Sequence, residues 1–95
     1  METFYFYILY SPSLDKSYIG HTSNLSERVR KHNTNHKGFT GRANDWIIVC
    51  AEVFETKSEA AKRETQIKGW KNRERLETLI SKNLFDNEGI FELQK

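Results

Sequence analysis

An α+β fold, a small three-stranded sheet flanked by helices in the order β-β-α-β-α-α, is predicted by three features of this sequence. Two runs, FYFYILY near the start and WIIVCAEVF in the middle, are too short for helices and rich in aromatic and β-branched residues, as strands are. Two capping patterns, NLSE and TKSE, each open a stretch with apolar residues at helical spacing. Between these segments lie turn-forming clusters, SPSLDKS and HKGFTGRAND, so the elements are separate and numerous enough to build layers around one core.

The elements follow in order. FYFYILY reads as a strand over about 4–10, ended by the proline and serines of the next segment. Alternation places Tyr5, Tyr7 and Leu9 on one face and Phe4, Phe6, Ile8 and Tyr10 on the other. SYIGH is a short second strand across a connection of hairpin length. Asn24 as N-cap, with Glu27 three positions on, starts a helix over about 25–34. HKGFTGRAND has two glycines and no periodicity, so it is a loop, and a basic one. WIIVCAEVF is almost continuously apolar, which implies burial on both faces and the central place in the sheet. Thr56 and Glu59 open a second helix over 57–68, with Gly69 as its C′ stop, and NRERLETLISK makes a third. Residues 83–95 form a tail of unassigned structure, so the folded domain is expected to span 1–82.

Composition narrows the class. Ninety-five residues at 37% hydrophobic content support one core and leave no material for a second. No apolar run approaches the ~18 residues that span a bilayer, and METFYFYILY carries Glu2 where a leader would be basic, so a soluble chain keeping its N-terminus is expected. Cys50, the lone cysteine, sits inside an apolar run, which excludes a disulfide framework and a cysteine metal site and fits a reducing cytoplasm. Net charge is +2 and the isoelectric point 8.7, short of the ~9 that marks a nucleic-acid binder by itself. The distribution says more: residues 28–44 contain no acid but hold Arg28, Arg30, Lys31, Lys37 and Arg42, and residues 62–75 carry six basic side chains against Glu64 and Glu74. Such asymmetry suits a phosphate-facing surface, and equally the solvated faces of ordinary helices.

Two helical stripes break the packing pattern. Leu25, Val29 and His32 share one face of the first helix, with Arg28 one turn before His32. In the second helix Ala60, Glu64 and Ile67 share a face, which sets a carboxylate in an apolar stripe. An unpaired buried carboxylate costs several kcal/mol, so a cation must meet it: Arg28, another basic side chain or a metal ion. With no cysteine pair and no aspartate cluster, a zinc or two-metal carboxylate site is not expected. One carboxylate completed by water and substrate phosphate oxygens is how Mg²⁺ is commonly held.

Tyr18-Ile19-Gly20 after a tyrosine-bearing strand, Arg28 ten positions on, His32 one helical turn later and a helical Glu64 beyond the next strand together resemble the GIY-YIG endonuclease superfamily. The similarity covers about 4–80, is strongest in YIGHTSNLSERVRKHN and SEAAKRETQIKGW, and is closest to small stand-alone members related to the N-terminal domain of the excinuclease C subunit. It implies a GIY-YIG-like fold and a Mg²⁺-dependent (or Mn²⁺-dependent) DNA endonuclease. Tyr7 and Tyr18 would be the motif tyrosines, Arg28 the phosphate contact, His32 its helical companion and Glu64 the metal ligand. The first motif departs from the name, with YFY where Gly-Ile-Tyr would stand, and Asn72 is the nearest match to a late asparagine of some members.

In such a site Arg28 would fork onto phosphate oxygens, Tyr18 would orient water or phosphate, and Gly20 would let the strand end approach the substrate. Tyr7 would take the proton of the attacking water, which requires a phenol pKa lowered from ~10 by Lys16, His21, His32 or the metal. Lys16, His21, Lys37, Arg42, Lys68 and Lys71 are the candidate DNA contacts; Trp46 and Trp70 read first as core or edge anchors, with base stacking the second reading for Trp70 amid Lys68, Lys71 and Arg73. A role in DNA repair or recombination, with an accessory protein supplying substrate specificity, belongs to this expectation. The alternative is a non-catalytic nucleic-acid-binding module on the same fold, separated from the nuclease by whether Glu64 faces an open cleft or is closed off by a salt bridge. Oligomeric state is left open by the sequence.

Overall fold

The computed structural model of the chain describes residues 3–34 and 43–82. The elements appear in the expected order: β1 (Phe4–Ser11), β2 (Lys16–Thr22), α1 (Leu25–His32), β3 (Ile47–Phe54), α2 (Lys57–Lys68) and α3 (Arg73–Lys82). The tail at 83–95 and the loop lysine and arginine, Lys37 and Arg42, lie outside the described residues.

The sheet is antiparallel throughout, in the order β2-β1-β3. The central strand is therefore β1, not β3 as the apolar run of β3 implied. The reason is that burial of two faces and pairing of two edges are different properties. WIIVCAEVF is covered on both faces at an outer position, where Ile47 and Val53 remain exposed, whereas Phe6, Tyr7, Ile8 and Leu9 of β1 are all completely buried.

Alternation along β1 divides the core in two. Tyr7 and Leu9 join Leu25, Val29, Trp46 and Ile48 on the α1 side of the sheet. Phe6 and Ile8 join Cys50 and Ile67 on the other, where Trp70 and the α3 residues Leu76, Leu79 and Ile80 pack against them. Helices thus cover both faces, which is what a three-stranded sheet with two apolar faces requires.

Local chemistry sets the helix ends. The Asn24 side-chain oxygen accepts from the Glu27 N–H at 3.1 Å, and Thr56 Oγ1 accepts from the Glu59 N–H at 3.2 Å while donating to its carboxylate at 2.9 Å. Helix α1 stops at His32, two residues earlier than the periodicity implied, because Asn33 is committed elsewhere. Its amide donates to the Trp46 carbonyl at 3.0 Å and accepts from the Trp46 N–H at 2.8 Å, fastening the end of α1 to the start of β3. At the end of α2 Gly69 keeps a right-handed φ of −69°, and the left-handed residue of the turn is Lys71, at φ 49°. The hairpin is held from two sides. Asp45 accepts from Ser11 Oγ at 2.6 Å and from the Ser13 N–H at 2.8 Å. Asp15 accepts from Tyr10 at 2.6 Å and from Arg73 of α3 at 2.6 and 3.1 Å, contacts that hold its carboxyl down at about 2.

Asn33→Ala removes both bonds to the Trp46 backbone and is expected to destabilise the fold by about 1–3 kcal/mol in denaturant unfolding. Asn33→Asp keeps the acceptor and loses the donor, so its loss is expected to be smaller.

Candidate active site

The candidate residues gather around β2. Tyr18 and Gly20 face the α1 side, and Ile19 packs on the opposite side, where His21 meets α2. Tyr7, on β1, is the cross-strand partner of Gly20. Its phenol lies over the glycine: a β-carbon there would stand 2.6 Å from Tyr7 Oη and 2.8 Å from Cζ, closer than real contacts allow. Gly20 therefore makes room for Tyr7, a packing role that the sequence did not show. Beyond the glycine, Tyr7 Oη is 3.1 Å from His32 Nε2, and the Tyr18 and His32 rings meet with centroids 4.6 Å apart. The buried stripe Leu25, Val29, His32 presses α1 onto the sheet and carries His32 to this position.

Arg28, one turn before His32, brings its guanidinium beside the Tyr7 phenol. Among the described residues Arg30, Arg63 and Arg73 pair with carboxylates and Arg75 lies 4.1 Å over the Trp70 ring. Arg28 has no carboxylate partner among them, and its Nε is buried without a hydrogen-bond partner. A cation held in this way has guanidinium donors to spare for an anion.

Glu64 approaches from the α2 side. The side chains that meet it are His21, with Nδ1 2.6 Å from Oε1, and the Lys68 ammonium, with Nζ 2.8 Å from Oε2, rather than Arg28. Burial raises its pKa, but the bonds from Lys68 and His21 outweigh burial and hold it below the ordinary glutamate value. Its charge still reaches the other side, pushing both the Tyr7 phenol and the Arg28 guanidinium upward.

Tyr7 departs from expectation. Burial raises its pKa, and Arg28, the cation beside it, only partly offsets that. The phenol is therefore neutral near pH 7, not poised as a phenolate. Lys16 cannot depress it, because Lys16 pairs with Ser11, four positions along the strand, roughly 13 Å from the Tyr7–Gly20 pair. Lys71 is exposed on the turn after α2, and Asn72 caps α3 by accepting from the Arg75 N–H at 3.0 Å. Trp70 packs against the core as an edge anchor, and the Arg75 guanidinium lies over its ring, 4.1 Å from the centroid, where a stacking base would sit.

A cleft of about 480 Å³ opens beside Arg28, lined by Phe4, His21, Thr22, Ser23 and Lys57. Of these only His21 was legible as a candidate beforehand. Lys57 carried a signal, since it lies seven positions before Glu64 and so on the same helical face; Phe4 did not, because strand aromatics usually pack.

A family model described as the GIY-YIG catalytic domain matches residues 3–77. The chain belongs to the GIY-YIG family. Relatives within it include a UPF0213 protein of Staphylococcus haemolyticus, 34% identical over 65% of this chain and 77% of the relative, and one of Staphylococcus saprophyticus, 31% identical over 83% and 96%. The solution NMR structure of a UPF0213 protein from Bacillus halodurans superposes with a TM-score of 0.51 at 27% identity, covering 83% of each chain. This GIY-YIG chain thus has a nuclease family's α+β fold, and no helix among its described residues is long and apolar enough to cross a membrane.

The family implies a divalent metal. Among the described residues no three His, Cys, Asp or Glu side chains cluster as a metal cage. A single part-exposed carboxylate, Glu64, near a guanidinium with spare donors fits the sparse way Mg²⁺ is held, with water and phosphate oxygens filling most positions. His21 or Lys68 must give up an oxygen of Glu64 for an ion to bind there.

Gly20→Ala is expected to cost about 1–3 kcal/mol of stability through overpacking, and less in a Tyr7→Phe background, since the hydroxyl is the closest contact. Denaturant unfolding of the four proteins measures that coupling. For Glu64 the folded-state pKa is depressed, so its stabilisation is complete above the unfolded value near ~4.3 and is lost as pH falls through the lower folded value. The stability difference between wild type and Glu64→Gln, followed by urea unfolding from pH 6 downward, should therefore shrink below about pH 4.3.

Proposed function

We propose that this chain is a DNA endonuclease that hydrolyses phosphodiester bonds with Mg²⁺ or Mn²⁺, its 1–82 segment forming the nuclease domain. The observation that supports this most is the Arg28 guanidinium, which lacks a carboxylate partner among the described residues and stands beside Tyr7, near Tyr18 and His32 and within electrostatic reach of Glu64.

In this reading Arg28 binds the scissile phosphate and neutralises charge that develops on its oxygens. Tyr18, held against the His32 ring, orients the phosphate or the attacking water. The neutral Tyr7 takes the water's proton at Oη while passing its own to His32 Nε2 across the 3.1 Å bond, so no phenolate forms. Tyr7 is fully buried without substrate, and movement of Arg28 onto the phosphate uncovers the hydroxyl. Glu64 would hold the metal, which supplies charge neutralisation at the leaving oxygen. His21 and Lys68 are released from the carboxylate in that state, and Lys68 becomes available to a neighbouring phosphate. DNA repair or recombination in the cytoplasm, with an accessory protein choosing the substrate, completes the proposal.

One observation favours a second reading, a nucleic-acid-binding module without catalysis: both oxygens of Glu64 are already bonded, to His21 and Lys68. Cleavage of duplex, single-stranded and branched DNA at low salt, with and without Mg²⁺, separates the two. The nuclease reading expects metal-dependent nicking that falls by 10²–10³-fold or more in Arg28→Ala, as when a charge-stabilising donor is lost, and in Glu64→Gln, with both variants folded. Absence of cleavage with DNA binding unchanged in Glu64→Gln would leave the binding module.

A further inference from the structure

Resting on the nuclease reading, we propose that the cleft beside Arg28 is a subsite for one unpaired nucleotide next to the scissile phosphate. In it Lys57 holds the neighbouring phosphate and Phe4 stacks on the base.

Four observations carry this. The cleft, at about 480 Å³, has room for one nucleotide and is bounded by a guanidinium, an ammonium, an aromatic ring and hydroxyl side chains, the mixture that binds a nucleotide by phosphate, base and sugar. Its two permanent cations have charge to spare: Arg28 carries a buried Nε without a hydrogen-bond partner, and neither Arg28 nor Lys57 forms an ion pair with a described residue, while Lys68 on the same helix is paired. Lys57 and Glu64 lie two turns apart on one face of α2, roughly 10 Å along the axis. A flexible lysine stem shortens that to the step from one phosphate of a strand to the next. Finally, Phe4 is only half-buried, and it alternates onto the same side of the sheet as Phe6, the cross-strand partner of His21, so its ring borders the cleft rather than filling the core.

The ring selects the substrate class. A base inside a duplex is already stacked on both faces and cannot meet Phe4, whereas a base in single-stranded or branched DNA can do so without unpairing. The subsite therefore favours cleavage beside unpaired nucleotides. It also explains why a chain with a modest net charge of +2 need not rely on phosphate contacts alone.

The test uses thymidine 3′,5′-bisphosphate, a single nucleoside with a phosphate on either side, titrated by NMR into the full chain carrying Glu64→Gln. Amide shifts should centre on Phe4, Thr22, Ser23, Arg28 and Lys57. Affinity should fall roughly tenfold in Phe4→Leu, which keeps an apolar side chain and removes the stack, and recover in Phe4→Trp. Lys57→Ala should weaken binding by a similar factor, and Lys62→Ala, on the same helix but away from the cleft, should not. Shifts centred elsewhere, equal losses in Lys57→Ala and Lys62→Ala, or inorganic phosphate binding as tightly as the nucleotide would overturn the proposal. Cleavage assays keep the two readings apart. Loss of the subsite with wild-type cleavage intact and no preference for unpaired DNA would overturn this inference alone, whereas nucleotide binding in the cleft without any cleavage would support the subsite and count against the nuclease.

Discussion

The close approach of the Tyr7 phenol to Gly20 is the contact on which the rest of the site depends. Tyr7 stands on the central strand and is completely buried, yet its hydroxyl reaches out across β2 only because the residue beneath it has no β-carbon. That reach brings the phenol to His32, and His32 in turn lies against Tyr18. A side chain at position 20 would part the two strands or swing the ring away, and either displacement separates the three rings. The glycine of the Tyr-Ile-Gly motif is thus an internal packing requirement, and what it permits is an aromatic cluster with polar atoms at its outer side.

Charge is distributed unevenly around that cluster. Most of the described arginines are consumed by the fold: Arg63 bonds Glu52 and lies near Phe6 and Trp70, and Arg73 joins α3 to the hairpin through Asp15. Arg28 is held near aromatic hydroxyls and not by a carboxylate, a costly arrangement for a partly buried cation unless an anion completes it. Glu64 shows the opposite condition, a carboxylate with both oxygens engaged. The two charges are kept on separate sides of β2, so in the proposed reading substrate and metal would each have to rearrange one of them.

Membership of the GIY-YIG family accounts for the layering, but the family's activity rests on side chains at the rim of the sheet. Here the rim combines a neutral buried phenol, a guanidinium with donors to spare and a cleft of nucleotide size. In the proposed reading these features supply local cationic charge for phosphate and an apolar surface for a base, in place of a strongly basic exterior.

The sequence by itself determined the elements, their order and most of their ends, because periodicity, caps and turn residues act over a few positions: Asn24 and Thr56 cap helices, and Tyr7 and Phe6 take opposite faces as alternation requires. The resemblance to the GIY-YIG superfamily implied Tyr7, Tyr18, Arg28, His32 and Glu64 as a set, and the fold brings the first four together with Glu64 in electrostatic reach. What only the tertiary structure decided is whatever depends on contacts between distant segments. Strand order put β1 rather than β3 at the centre, since an apolar run reports covered faces and not paired edges. The partners of Glu64 proved to be His21, 43 positions away across the fold, and Lys68, one turn along its own helix. The role of Gly20 and the upward shift of Tyr7 were likewise invisible, because a glycine's neighbours and a phenol's burial are set by three-dimensional packing, on which the linear order of residues is silent.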